Sequence, residues 1–189
     1  MTKANEVMAL GAKETIDTTL LRNHAYFLSG EIDDSSIEPV IRWIMYENFM
    51  IEEGKILTLY INSSGGGLYD AFALIDVMRR SAYPISTIGI GYVASAAFMI
   101  FAAGTKSHRY ISENTSILSH QFSGDSSGKY HDMVSAMKEN DHVNDRMAVL
   151  LNEFTGLPVK TVKSKLLPPS DVWLTPGEAV KLGIADHIF

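Results

Sequence analysis

Ile85-Ser86-Thr87-Ile88-Gly89-Ile90-Gly91-Tyr92-Val93-Ala94-Ser95-Ala96-Ala97-Phe98-Met99-Ile100-Phe101-Ala102-Ala103-Gly104 is the stretch on which the fold turns. Its first part, Ile85 to Val93, alternates and is rich in β-branched side chains, as a strand requires. Small residues then lead into a helix that is apolar on every side, and such a helix belongs inside a core. Ser95 therefore stands where a strand gives way to a buried helix. The first N–H groups of a helix lack internal partners and carry partial positive charge. A hydroxyl placed there is either a cap or a nucleophile beside an oxyanion site. This stretch alone leaves both uses open.

Upstream, the same pattern occurs once more. Lys55 to Ile61 reads as a strand, and Asn62-Ser63-Ser64-Gly65-Gly66-Gly67 as its glycine-rich end. A helix follows with Leu68, Phe72, Ile75 and Met78 at helical spacing, closed by Arg79-Arg80. Two strand–turn–helix units in succession predict parallel strands with helices returning across them, an α/β architecture. Earlier, His24 to Ser29 reads as a strand closed by Gly30. Asp33-Asp34-Ser35-Ser36 then caps a helix whose apolar face is Ile37, Val40, Ile41, Ile44 and Met45. Residues 1–20 are polar and weakly patterned, which predicts an extended or mobile arm, and residues 21–189 form one domain.

Downstream, Tyr110-Ile111 and Ser116 to Ser119 are short strand candidates, with His120 ending the second. After the polar break Ser123 to Gly128, Lys129 to Phe154 spans about seven helical turns. Its stripe is Met133, Met137, Asn140, Asn144, Met147, Leu151 and Phe154. That near-heptad spacing, polar in the middle, suits either a projecting helix that meets another subunit or one packed in its own domain. Thr175-Pro176-Gly177-Glu178 starts the last helix, with an N-cap, proline at N1 and glutamate at N3, and Gly183 ends it.

Composition narrows the function classes. The chain has 189 residues, 46% of them hydrophobic and 20% charged, as in an ordinary globular domain. A net charge of −6 with no basic run argues against a nucleic-acid partner. Cysteine is absent, which excludes disulfides and thiolate chemistry. The start, Met1-Thr2-Lys3-Ala4-Asn5-Glu6, lacks the pattern of a signal peptide. The longest apolar stretch, Ala94 to Ala103, is too short to span a bilayer. A soluble, cytoplasmic protein without a membrane partner is expected. Six histidines occur without ligand spacing, so no metal site is expected. Ser64-Gly65-Gly66-Gly67 before a helix could hold an anion, but the Walker lysine and hydroxyl are missing. Those glycines otherwise make a tight turn or point an N–H into a cleft.

If Ser95 is to attack a carbonyl it needs a base, because a free serine hydroxyl is barely ionised at neutral pH. His120 ends the apolar run Ile117-Leu118-Ser119, where it is either that base or a hydrogen-bonded structural histidine. Asp171, in Pro168-Pro169-Ser170-Asp171-Val172-Trp173-Leu174, either orients the imidazole or is a solvated loop carboxylate. Spacing alone does not select a triad, which is defined by geometry.

Four motifs nevertheless occur together: Ile61-Asn62-Ser63-Ser64-Gly65-Gly66, Gly91-Tyr92-Val93-Ala94-Ser95-Ala96-Ala97, Ser119-His120-Gln121 and Asp171-Val172-Trp173-Leu174. In order and approximate spacing they resemble the motifs of the ClpP family, self-compartmentalising serine peptidases. The resemblance runs from about His24 to Phe189, including Glu178-Ala179-Val180 and Gly183-Ile184-Ala185-Asp186. It implies a ClpP/crotonase-like spiral of ββα units with a projecting handle helix, the handle region covering about 121–155. It further implies Ser95 as nucleophile, His120 as general base, Asp171 as orienting acid, and an oxyanion hole from the backbone N–H groups of Gly66 and Ala96. Gly65, Gln121 and Phe122 would line the substrate groove. By the same resemblance, the chain would self-associate into heptameric rings stacked as a tetradecamer. It would cut unfolded polypeptides and receive them from a ring-shaped Clp-type AAA+ ATPase. The chain itself would use no cofactor, ATP being consumed only by that partner.

The sequence departs from the family pattern at three informative places. Ser64 and Phe122 stand where proline is usual, both beside the groove, and Val172 stands where many relatives have an inter-ring arginine. The Ala-Ser-Ala-Ala context also resembles ClpP-like proteases of viral head maturation, which act without an ATPase. Two other readings are a non-catalytic co-assembling Clp subunit, and an acyl-CoA hydratase of the same broad fold that has no serine nucleophile.

Overall fold

A computed structural model describes residues 11–124 and 126–189. Parallel strands β1 (Ala25–Ile32), β2 (Leu57–Gly66) and β3 (Ile85–Ala94) make its frame. Helices α2 (Asp34–Phe49) and α3 (Leu68–Arg79) return the chain between them, and α4 (Ala96–Ala102) follows β3. The repeated strand–turn–helix pattern is thus an α/β spiral of the expected kind. Leu57, Leu59 and Ile61 alternate inward along β2, and every residue of α4 is buried. The fully apolar helix read from the sequence lies in the core with Leu59, Ile75, Ile117 and Leu151.

One edge of β3 is shared by two strands. Thr87–Gly89 pairs with β4 (Arg109–Ile111), whereas Tyr92–Ala94 pairs with β5 (Ser116–Ser119), both parallel. Beyond β4 lies β7 (His187–Ile188), parallel; beyond β5 lies β6 (Val172–Leu174), antiparallel. The sheet therefore forks near Gly91, whose φ of +66° is open to glycine. The chain is completed by α1 (Ala12–Arg22), α5 (Tyr130–Thr155), α6 (Val159–Lys165) and α7 (Pro176–Lys181).

Several elements differ from their sequence reading. The part of the expected arm from Ala12 onward is helix α1, with Glu14 in its first turn and Arg22 in its last, as the helix dipole favours; residues 1–10 lie outside the described residues. β1 runs past Gly30 to Ile32 through a register shift between Ser29 and Glu31, and β2 runs on to Gly66 to pair with it. On α2 the buried residues are Ile37, Val40, Trp43, Ile44 and Glu47, while Met45 is half exposed. The buried stripe follows 37, 40, 44 and 47, so Met45, about 100° round from Ile44, faces away. α6 and β6 were not anticipated, because a short element with no stripe of its own is made by its neighbours.

Helix α5 settles the choice left by its stripe by dividing in two. Its buried residues all come after Asp141: Val143, Met147, Ala148, Leu150 and Leu151. Before that point Tyr130, Met133 and Met137 are exposed. The C-terminal half is core, and the N-terminal half projects.

A buried ion pair roots α5 to the sheet. Arg109 of β4 is 2% exposed, and its Nε and Nη2 donate to Asp186 Oδ2 and Oδ1 at 2.9 and 2.7 Å. Its Nη1 donates to the Phe154 carbonyl at 3.0 Å, in the last turn of α5. Burial pushes the Asp186 carboxyl up, but the hydrogen bonds and charge of Arg109 outweigh this and hold it below the usual carboxylate range. Asp186→Ala leaves a buried guanidinium unpaired and should cost about 3–5 kcal/mol, read by urea unfolding at pH 7. Because the folded value is depressed, the stabilisation is complete above the unfolded value of about 3.9 and is lost as pH falls through the folded one. The native and variant midpoints should therefore converge on acidification below about pH 4. Midpoints that stay equally far apart would remove this carboxylate from the account.

Candidate active site

Ser95 occupies the turn from β3 into α4 with φ 55° and ψ −123°, a combination that residues with a Cβ avoid. No hydrogen bond from its side chain caps α4. Of the two uses the sequence left open for this hydroxyl, the cap is not made. Instead Oγ lies 2.8 Å from Nε2 of His120. A sharp strand-to-helix turn that lifts a serine hydroxyl clear of the sheet is a nucleophile elbow. The elbow is pinned by its own backbone, the Ser95 N–H donating to the Leu118 carbonyl at 2.9 Å.

His120 leaves the end of β5, and both its neighbours are stapled to one turn. Ser119 Oγ donates to the Leu166 carbonyl at 2.6 Å, and Gln121 Nε2 donates to the Leu167 carbonyl at 2.9 Å. The imidazole Nδ1 lies 2.5 Å from the Gln121 carbonyl oxygen. A carbonyl can only accept, so the tautomer that suits this arrangement has its proton on Nδ1 and turns the Nε2 lone pair to the Ser95 hydroxyl. That is the tautomer a general base requires.

Asp171 is exposed and, among the described residues, makes no hydrogen bond to His120. β5 and β6 pair Leu118 with Trp173 and Ser119 with Val172, and His120 and Asp171 are the residues that follow and precede that last pair, just outside the ladder.

The glycine-rich end of β2 comes up against the elbow from the other side. A Cβ at Gly65 would stand 2.6 Å from the Ala94 carbonyl, 2.7 Å from Ser95 Cβ and 2.9 Å from the Ala96 nitrogen, and φ there is +91°. Only glycine fits. As the first residue of α4, Ala96 has an N–H with no acceptor inside the helix. Gly66, next along β2, is exposed with φ +148°. Ser63 Oγ accepts from the Gly65 N–H at 3.0 Å, and Asn62 Oδ1 accepts from the Tyr92 N–H at 3.2 Å, tying the end of β2 into the site. Phe122, half-buried, packs against the core. Backbone donors beside a raised hydroxyl, with an imidazole behind it, are the parts of an acyl-transfer site.

Sequence reasoning missed the residues that hold this site rather than form it. Ser119, Ser63 and Asn62 stand inside the quoted motifs, but their bonds to the Leu166 carbonyl, the Gly65 N–H and the Tyr92 N–H were not legible there. Asn144 of α5 accepts from the Phe122 N–H through Oδ1 at 2.9 Å. Its sequence signal is the pair of asparagines, Asn140 and Asn144, within an otherwise apolar helical stripe.

With this geometry in view, the chain is similar to known proteins along nearly its whole length. A family model described as Clp protease matches residues 11–189. An ATP-dependent Clp protease proteolytic subunit of Porphyromonas gingivalis (strain ATCC BAA-308 / W83) is 28% identical over 177 residues, covering 94% of this chain and 78% of that protein. An ATP-dependent Clp protease proteolytic subunit 1 of Leifsonia xyli subsp. xyli (strain CTCB07) is 31% identical over 180 residues, covering 95% and 89%. The chloroplastic ATP-dependent Clp protease proteolytic subunit 3 of Arabidopsis thaliana is 30% identical over 177 residues, covering 93% and 56%.

The close approach of Gly65 makes a direct test of the elbow. Gly65→Ala should slow inactivation by a fluorophosphonate by about 100-fold, since small displacements of a reacting atom cost that much. Stability should fall by about 1–3 kcal/mol from the strain. A Gly65→Ala protein that reacts at the native rate would show the elbow to be independent of β2.

Proposed function

The chain belongs to the Clp protease family of serine peptidases, and from that premise we propose how it cuts: Ser95 is the nucleophile, His120 the general base and Asp171 the acid that supports it. The observation that carries this reading is the 2.8 Å contact between Ser95 Oγ and His120 Nε2 at a strained elbow. Ser95 Oγ attacks the scissile carbonyl as its proton passes to Nε2. The Ala96 and Gly66 N–H groups receive the developing oxyanion, and collapse of the tetrahedral adduct sends the proton from Nε2 to the leaving amine. Water, activated by the same nitrogen, then hydrolyses the acyl-enzyme. Asp171, just outside the β5–β6 ladder at the end from which His120 leaves, lends negative charge to the imidazolium that forms in both halves. Gly65, Gln121 and Phe122 border the groove that takes the polypeptide.

The proposed substrates are unfolded polypeptide chains, cut inside a chamber of self-associated subunits. The exposed Tyr130, Met133 and Met137 on the projecting half of α5 support a contact between copies, and a pair of stacked heptameric rings is the assembly we propose. Relatives named ATP-dependent support delivery by a Clp-type AAA+ ATPase. This chain would then need no cofactor of its own. No helix among the described residues is long and apolar enough to cross a membrane, and the proposed location is the cytoplasm.

Ser95→Ala should abolish fluorophosphonate labelling and lower kcat/KM for a fluorogenic peptide by about 10⁴-fold or more. Assaying size-fractionated protein reports activity and assembly together, and peptidase activity that survives Ser95→Ala in any fraction would end the assignment. Asp171→Asn should lower kcat by at least about 10-fold yet leave more activity than Ser95→Ala, as removing a supporting acid does. Unchanged kcat in Asp171→Asn would take the aspartate out of the mechanism.

A further inference from the structure

Asp171 is exposed and stands just before β6, so its place relative to His120 depends on how that strand is held. β6 is three residues long, lies at the edge of the sheet and, among the described residues, pairs with β5 alone. Two paired strands by themselves are only marginally stable. A second hold comes from side chains. Trp173, the middle residue of β6, stacks on Tyr92 of β3 with ring centroids 6.1 Å apart and planes at 22°. β5 runs between the two strands, which puts their backbones two strand spacings, about 10 Å, apart, and the rings meet across it. We propose that this stack fixes β6 on the sheet and thereby sets Asp171 relative to the His120 imidazole, which makes Trp173 and Tyr92 positioning residues for peptide-bond hydrolysis. The proposal rests on the serine-peptidase reading above, in which Asp171 is the supporting acid.

Register puts both rings on one face of the sheet. Ala94 pairs with Leu118 and Leu118 with Trp173, while Tyr92 comes two residues before Ala94, and side chains two apart on a strand share a face. Trp173 is 58% exposed, so burial in the core does not hold it; offset aromatic rings at this separation attract one another. Tyr92 is itself firmly based, since its N–H donates to Asn62 Oδ1 at 3.2 Å and its backbone pairs with Ser116 of β5. On the other side of Asp171, Ser119 Oγ and Gln121 Nε2 hold the Leu166 and Leu167 carbonyls at 2.6 and 2.9 Å, and Pro168-Pro169 stiffens the chain that follows. Asp171 is thus held upstream by a stapled turn and downstream by the stack. A carboxylate that acts through its charge is sensitive to such placement, because the interaction falls with distance.

The test is steady-state hydrolysis of a fluorogenic peptide by the full chain. Trp173→Ala should lower kcat by about 3–10-fold with KM unchanged, and no further than Asp171→Asn does. Tyr92→Ala, on a different strand, should give the same loss. Trp173→Phe keeps a ring to stack and should stay within about 2-fold of native, a rescue that follows from the stack. In the Asp171→Asn background, Trp173→Ala should have no further effect on kcat. Trp173→Leu, apolar but without a ring, serves if the alanine variant does not fold. Native kcat in Trp173→Ala or Tyr92→Ala, no rescue by Trp173→Phe, or an equal loss in the Asp171→Asn background overturns the proposal. A change confined to KM overturns it too, because the ring would then be a substrate contact. Native kcat in Asp171→Asn itself would instead overturn the supporting-acid reading, so the two failures are distinguishable.

Discussion

The bond from the Ser95 amide to the Leu118 carbonyl, 2.9 Å long, is where sheet and chemistry meet. It closes the upper half of β3 against β5 at the point where β3 must turn into α4. Because the donor is the Ser95 amide itself, the hydroxyl is set relative to β5. Because the acceptor lies two residues before His120, the imidazole leaves the strand close to that hydroxyl. The positive φ of Ser95 is a cost of order 1–3 kcal/mol, and the surroundings over-determine it. α4 is buried along its whole length and cannot shift, and Gly65 leaves no space for the elbow to relax into. A strained residue held from three sides keeps its hydroxyl on His120 Nε2 rather than on the helix as a cap.

Legibility from sequence follows how local each signal is. The Asp33–Ser36 and Thr175–Glu178 capping boxes form as their residues suggest, because a cap involves residues three apart in the chain. The apolar face of α3 and the buried α4 were readable for the same reason. β6 was not, because Val172–Leu174 is a strand only through its antiparallel neighbour β5. Glu47 has no local signal of burial, yet it is buried against Lys55, whose Nζ lies 3.1 Å from its carboxylate. In the candidate site, the residue types were recognisable as a set, and Ser95 and His120 do meet. What no pattern could supply was the backbone: the φ of Ser95, the Gln121 carbonyl beside His120 Nδ1, and the β5–β6 ladder that ends one residue short of His120 and Asp171.

Helix α5 shows how one element can serve two environments. Its last turn is bound to the sheet through Arg109, which also holds Asp186 and so joins the α7–β7 connection to β4. Gly183 packs there so closely that a Cβ would stand 2.8 Å from the Thr155 carbonyl. From this root the helix runs outward, leaves the core at Val143, and ends in a stretch whose apolar residues Tyr130, Met133 and Met137 are exposed. Asn144 stands at the point of departure. The polar residues in the middle of the stripe thus mark a boundary between an inner and an outer helix.

The forked edge of β3 also bears on the order in which the protein comes into being. During synthesis a chain folds from its N-terminal side, and β1, β2, β3 and α4 are contiguous, parallel and close-packed. That portion carries Ser95 before β5 supplies the Leu118 carbonyl that pins its elbow. The two branches of the fork, however, are each finished by a late strand: β5 waits for β6, and β4 waits for β7. Asp171 arrives with the first of these and Asp186 just before the second. A ribosome-bound chain therefore carries Ser95 long before it carries Asp171. The topology itself makes the proposed reaction centre complete only once the strand that finishes one branch of the fork, β6, has been made.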